Sequence, residues 1–458
     1  MCRHRRRRIV LALASLGLLS VGTGTVLAHG GSLRGGAETL AVPAWLFLLT
    51  GGAAVGASFM LAATVTDRRY IASIDEWHRA LGRVPTVVGR DLAPLVGLVG
   101  FGAVLWFGLT GPPAPLRNLA VVLVWVGWWA GFTMTTYLVG NTWPALNPFR
   151  TIASVLPTLD RPYPDHVGTW PAVVGLLALV FVEVVTPLAD DPRLLAGTIA
   201  CYGVVTLAGA VAYGDQWFER ADPVSRVFAA LGAVAPVTSD DDGLRLRLPG
   251  MGLTRSAVVS GADDVVFVVT LLWVTTYDGM VTTPAWADAA TAAYGAGVPP
   301  LAIYLGAYLL GFGAFVGAYR VASRWARRTG ETFLTADVLA RRFAPPLLAI
   351  AAGYHLAHYL AYFVALSLPL SAALANPLSP PPSPQQFVLP GWVGGAELAF
   401  VLLGHLLAIW VAHSTAYDLF PSRLQAVRSQ YPFIAVMVLY TMVSLWVVAE
   451  PSLVPPYL

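Results

Sequence analysis

The sequence predicts an all-α, polytopic transmembrane bundle of about ten spanning helices, and three observations carry that reading. The apolar fraction is 57% and the charged fraction only 12%, about half the charge of an ordinary soluble domain. The apolar residues are gathered into blocks of roughly 20, the length with which an α-helix crosses ~30 Å of hydrocarbon. The blocks also lack the alternation over ~10 residues that marks the strands of a membrane barrel.

The chain opens with the three parts of a secretory signal: a basic run from Arg3 to Arg8, an apolar run from Ile9 to Leu19, and the small-residue ending Val26-Leu27-Ala28. The arginines ahead of Ile9 are also loosely similar to a twin-arginine signal. Residues 1–28 are therefore expected to be removed, leaving His29 as the mature N-terminus; the alternative is an uncleaved first helix. Residues 29–458 then form a single transmembrane domain.

Ten apolar blocks follow, at 43–65, 92–110, 117–140, 170–188, 193–213, 257–277, 299–319, 344–370, 393–413 and 432–450. If residue 29 starts outside, the loops alternate, and the arginines test the alternation. Arg68 to Arg90, Arg150 and Arg161, Arg220 to Arg255, Arg320 to Arg342, and Arg423 and Arg428 all fall inside. Only Arg34, Arg117 and Arg193 fall outside. A missed helix would scramble this partition. The expected setting is thus a multi-pass protein of the cell membrane, with the lipid bilayer as partner and both termini outside.

The longest inside loop, 214–256, has room for a short interfacial helix. The outside loop 371–392, with Pro380, Pro381, Pro382 and Pro384, is expected to be extended. No loop is long enough to build its own core. Asn147-Pro148-Phe149-Arg150 reads as a turn at the inner face. The small residues from Gly311 to Gly317 suit close helix packing.

A net charge of +3 with no basic stripe interleaved with aromatics excludes a nucleic-acid surface. Cys2 and Cys201 form neither a disulfide framework nor a CxxC pair, and Cys201 is expected to be a small buried residue. The phosphate-loop and HExxH patterns are also missing.

Ionisable residues inside spanning helices are costly and are functional candidates. This chain places Glu183 in the fourth block, Asp263, Asp264 and Asp278 in or beside the sixth, His355 and His358 in the eighth, and Glu397, His405 and His413 in the ninth. At ~1.5 Å per residue, His355, His358, His405, Glu397 and Glu183 fall in the middle or outer half. Asp263, Asp264 and His413 form an inner polar layer, and for the two aspartates pairing with inside-loop arginines is expected. His355 and His358 share one helix face. Imidazoles so spaced, joined by His405 and a carboxylate from neighbouring helices, are how bundles build metal sites. Such a site suits copper or zinc, whereas intramembrane histidines also serve as hydrogen-bond glue. His29, with a free amine after cleavage, offers a second chelating pair for Cu(II).

The chain resembles the bacterial and archaeal membrane proteins known as fenitrothion hydrolase subunits. The likeness runs through His29-Gly30, Pro43-Ala44-Trp45-Leu46-Phe47, Ala145-Leu146-Asn147-Pro148-Phe149-Arg150, Tyr277-Asp278-Gly279 and Ala357-His358-Tyr359. It continues through Gly404-His405, Ala412-His413, Tyr431-Pro432, Val438-Leu439-Tyr440-Thr441 and Leu445-Trp446. The resemblance implies hydrolysis of a lipophilic organophosphate triester by a two-subunit membrane complex, with Asp278, His358, His405 and His413 at matching positions. A metal-dependent hydrolase of phosphoric triesters, with His355, His358, His405 and His29 as ligands and Asp278, Glu397 and Glu183 as catalytic carboxylates, is the first expectation. A copper- or other metal-handling membrane protein and a proton- or ion-coupled transporter are the alternatives.

Overall fold

The computed structural model describes residues 44–82, 86–159, 161–240, 243–254, 258–450 and 453–456. The expected signal segment and His29 lie outside the described residues. Helices dominate, and each of the ten apolar blocks is helical. In chain order they are α1 (Ala44–Ala63), α2 (Arg68–Asp75), α3 (Thr86–Thr110), α4 (Leu119–Leu138), α5 (Trp143–Leu146), α6 (Pro148–Ala153), α7 (Trp170–Val185) and α8 (Pro192–Tyr213). After them come α9 (Pro223–Gly232), α10 (Ala262–Met280), α11 (Pro284–Gly295), α12 (Pro300–Thr329), α13 (Ala336–Phe343), α14 (Pro346–Ala375), α15 (Val393–Leu419) and α16 (Arg423–Ala449).

Among the described residues seven spans are long and apolar enough to cross a bilayer, or nine if the bent pairs α1–α2 and α10–α11 each count as one. The count of about ten expected from the sequence lies just above this range. The shortfall is α7, whose 16 residues extend only ~24 Å. Pro171 fixes its start and Pro187 follows its end, so the helix cannot lengthen into either loop.

The outward faces are apolar. Val96, Val99, Trp106 and Leu109 on α3, and Leu301, Leu309 and Leu310 on α12, are each more than half exposed. A contiguous apolar surface of this kind would be a liability in water and is ordinary against lipid. The chain is an integral membrane protein.

The all-α expectation needs one correction. Three short strands, β1 (His78–Gly82), β2 (Val237–Asp240) and β3 (Gly243–Arg247), form an antiparallel sheet in the order β1-β3-β2. It joins two arginine-bearing loops that are far apart in sequence, pairing His78 with Arg247. Hydropathy could not reveal it, because each strand is only four or five residues long. The loop 214–256 does hold a short helix, α9, which packs its apolar residues Val227, Phe228 and Leu231 into the bundle. The proline-rich loop is non-helical from 376 to 390 and returns to α14 through Phe387 N–H, which donates to the Ala365 carbonyl at 3.0 Å.

Two devices set the helix packing. Where α14 crosses α15, Gly353 and Gly404 face each other so closely that a Cβ on Gly404 would lie 2.7 Å from the Ala349 carbonyl oxygen and 3.0 Å from Gly353 Cα. Only glycine permits this backbone contact. On α12, Gly311 makes room for the Trp273 ring, whereas Gly313 and Gly317 have nothing near them. The small-residue run thus serves packing at one position.

At the arginine-rich end, polar ties replace apolar contact. Thr169 immediately precedes α7; its hydroxyl donates to Asp264 at 2.6 Å and its N–H donates to Asp263. Arg226 of α9 donates to the same Asp264 at 2.9 Å. This binds the N-termini of α7 and α10 side by side, with both acidic residues at the positive end of a helix dipole.

Candidate functional site

Between α3, α4, α7, α8, α9 and α10 lies a cavity of about 550 Å³, within the range of small-molecule sites. Its wall on α4 is a run of π-helix from Leu123 to Phe132. The wider π turn is rare and recurs at functional sites. Here it carries Trp125, Trp128 and Trp129 into the cavity wall. Trp143 and Phe228 complete an aromatic end, with Trp128 and Trp143 centroids 5.6 Å apart and Trp143 and Phe228 5.0 Å apart. Trp143 is only 7% exposed. The indole nitrogens of Trp125, Trp128 and Trp143 are buried behind the ring faces and have no hydrogen-bond partner among the described residues, so these side chains give the wall aromatic surface.

Glu183 and Asp278 supply the acidic part of the wall. Their convergence follows from the tie at the other end of the helices. From Thr169 to Glu183 and from Asp264 to Asp278 the chain advances by the same number of residues. Two helices starting together therefore bring both carboxylates to one level, ~21 Å further on. Tyr308 and Tyr359 lie within electrostatic reach of both.

The Tyr277-Asp278-Gly279 triplet now has a physical reading. Tyr277 is fully buried and its hydroxyl donates to the Tyr304 carbonyl at 2.9 Å. Gly279 admits Val447, which a Cβ would meet at 2.5 Å. Those two residues fix the rotation of α10, and Asp278 between them is left at the cavity.

The Asn147-Pro148-Phe149-Arg150 turn is the start of α6. The Asn147 side chain accepts from the Phe149 N–H at 3.0 Å, and proline takes the first helical position. It contributes Pro148 and Phe149 to the cavity wall.

The histidines do not converge as expected. His355 is buried, with Nδ1 3.0 Å from the Tyr137 hydroxyl on α4 and its ring 4.4 Å from that of Tyr359. His358 sits between Tyr354 and Tyr359, at centroid distances of 5.9 and 5.0 Å. His405 has both ring nitrogens engaged by its packing neighbours: Nδ1 lies 2.8 Å from the Val401 carbonyl, and Nε2 meets the Thr441 hydroxyl on α16. Glu397 is buried on α15. Among the described residues no three His, Cys, Asp or Glu side chains come together as a metal ion requires. The expected copper or zinc centre of His355, His358 and His405 is therefore not assembled there. His405 acts as hydrogen-bond glue between helices.

The inner polar layer divides into two structural ties. Asp264 and Asp263 serve the helix starts already described. His413 donates from Nε2 to the Val65 carbonyl at 2.9 Å, holding the break between α1 and α2, which meet at 117°. Cys201 is exposed on α8, a correction to its expected burial.

The comparisons with known proteins leave the chain on its own: no family model, no curated protein and no solved structure matches it. The tryptophan-lined cavity was missed by sequence reasoning. The available signal was the density of Trp125, Trp128 and Trp129 around Gly127 in one apolar block.

Proposed function

We propose that this membrane protein takes up a small, uncharged, lipophilic ester from the bilayer and holds it in the cavity between α3, α4 and α10. The observation that carries the reading is an apolar cavity of about 550 Å³ walled by tryptophan rings and bearing two carboxylates. Lipophilic walls with a few placed polar groups are the usual form of a small-molecule site. Val96 and Leu374 belong to the wall and are themselves more than half exposed on the bundle surface, so entry from the lipid side needs no aqueous path.

The resemblance to fenitrothion hydrolase subunits extends this reading to hydrolysis. In that case Asp278 or Glu183 accepts a proton from water as its oxygen attacks phosphorus and the aryloxide leaves. Metal handling lacks a comparable observation, since no three His, Cys, Asp or Glu side chains come together among the described residues.

The test uses the fluorescence of the cavity tryptophans and an uncharged aryl dialkyl phosphate. The ester should quench the purified protein saturably. Gly100 lies in the wall with nothing within 4 Å of its Cβ position, so Gly100→Phe adds a ring to the wall at a point where its Cβ meets no neighbour. It should weaken the ester at least ~10-fold, the worth of about 1.4 kcal/mol, and leave thermal stability unchanged. Equal quenching in both proteins would exclude the cavity. Release of aryloxide that disappears in Asp278→Asn or Glu183→Gln would assign catalysis; saturable binding without release would leave a carrier or binding subunit.

A further inference from the structure

A second polar feature, which shares no lining residue with the cavity, lies where α12 ends. The helix has 30 residues and extends ~45 Å, well beyond the ~30 Å of hydrocarbon. Its apolar stretch from Leu301 to Tyr319 covers ~28 Å and stops at Arg320. Arg324, Arg327 and Arg328 therefore stand ~6–12 Å past the hydrocarbon edge. The headgroup layer is ~5–8 Å thick on each side, so Arg324 stands within it, and Arg327 and Arg328, whose long side chains lean back toward the start of the helix, reach its outer edge.

These arginines are spaced i, i+3, i+4 and share one face. Each is exposed, and none forms an ion pair among the described residues. Together with Glu331, Thr332 and Phe333 they line a pocket of about 490 Å³. Glu331, the acidic member of this wall, lies 3.6 Å from Arg428 on α16, and its carbonyl accepts from Gln425. Its charge is thus offset from outside the pocket, and the turn is tied to the next helix. The apolar parts complete the arrangement. Phe333 is 101% exposed and Trp325 57%, which in water would be an odd cost beside a charged cluster. At a membrane interface the same pair forms an aromatic belt.

We propose that this pocket binds the phosphate of an anionic phospholipid, with Arg324, Arg327 and Arg328 on the headgroup and Phe333 against the upper acyl chain. A forked guanidinium matches phosphate geometry, and basic pockets at this depth recognise acidic headgroups. The occupant is a lipid and not a free anion, because an exposed aromatic beside the arginines gains nothing from inorganic phosphate. The site is separate from the cavity and independent of the function proposed for it.

The experiment is native mass spectrometry of the whole protein exchanged into mixed micelles of phosphatidylcholine with phosphatidylglycerol. One retained phosphatidylglycerol is expected on the unmodified protein. R324Q/R327Q should reduce its retention at least ~10-fold, from about fivefold per arginine near the surface. The charge-matched control R69Q/R79Q, at exposed positions elsewhere on the same end, should change it by less than ~2-fold. Phe333→Ser, at a fully exposed position and so without cost to the fold, should weaken retention while inorganic phosphate has no effect on stability. Equal losses in the two double variants would reduce the effect to bulk charge and overturn the site. Stabilisation by inorganic phosphate that matches phosphatidylglycerol would overturn the lipid assignment.

Discussion

Replacing Asp264 by alanine is expected to lower the stability of the detergent-solubilised protein by ~3–5 kcal/mol, the cost of leaving one member of a buried ion pair alone. Its carboxylate is the junction of three elements. One oxygen accepts from Arg226 and from the Thr169 hydroxyl; the other accepts from the Ser260 N–H and hydroxyl at 2.8 Å each and from the Gly261 N–H at 3.0 Å. The side chains of Arg226 and Asp264 are only 13% and 6% exposed. Alanine would remove the partner of a buried guanidinium and the acid that reaches back to the start of α10. Asp264→Asn keeps part of the hydrogen bonding and loses the charge, so its cost should fall between alanine and the unmodified chain. Arg226→Met with Asp264→Leu should recover much of the loss, because an apolar pair leaves no uncompensated charge. Thermal denaturation of the three variants checks this ordering. Asp264→Ala at unmodified stability would reduce the tie to decoration. The same variants bear on function: if α7 and α10 are set by this junction, Asp264→Ala should also weaken ester binding through Glu183 and Asp278, ~21 Å away along the helices.

Gly404→Val is expected to cost more than an ordinary overpacking substitution, ~3 kcal/mol or above, and Gly404→Ala ~1–2 kcal/mol. The sign is decided by two opposing terms. Alanine in a helix gains up to ~1 kcal/mol over glycine. Against it stands a Cβ at 2.7 Å from the Ala349 carbonyl, and the crossing partner is backbone, which cannot rotate away. The helices must separate by several tenths of an ångström, and the gap spreads to His405 and its Thr441 contact on α16. Valine adds two methyl groups and gives back most of the propensity gain. Gly313→Ala, with nothing within 4 Å, is the control and should be neutral or slightly stabilising. A Gly404→Val protein that melts with the unmodified one would show that α14 and α15 are not held at this crossing.

Much of this architecture was legible in the residues. The block lengths placed every helix that carries a site residue, and the terminal residues were readable too. Pro171 and Pro187 limit α7, Asn147 caps α6, and the arginines cluster beyond the ends of the apolar runs. Asp264 was also foreseeable as a partner for an inside-loop arginine, since an acid at the first turn of an apolar helix needs a donor. The histidines were not. His405 looked like a ligand because a spanning histidine is expensive, but the expense can be met by any acceptor and donor nearby. The Val401 carbonyl and Thr441 meet it. Sequence supplies the need for a partner and says nothing of which partner is adjacent.

What the sequence determined by itself was the local and additive part: an apolar chain cut into helices, with arginine at one set of ends. Hydropathy sums along a segment, so it survives without knowledge of neighbours. The tertiary structure decided the rest. It broke α1 from α2 around His413, bent α10 against α11, widened α4 into a π-helix, and brought Glu183 and Asp278 to one cavity. These depend on the rotation of each helix about its axis. Lipid and a helix neighbour are equally apolar, so composition cannot tell the outward face from the inward one. Only glycine contacts such as Gly353 with Gly404, and polar ties such as Thr169 with Asp264, fix that rotation.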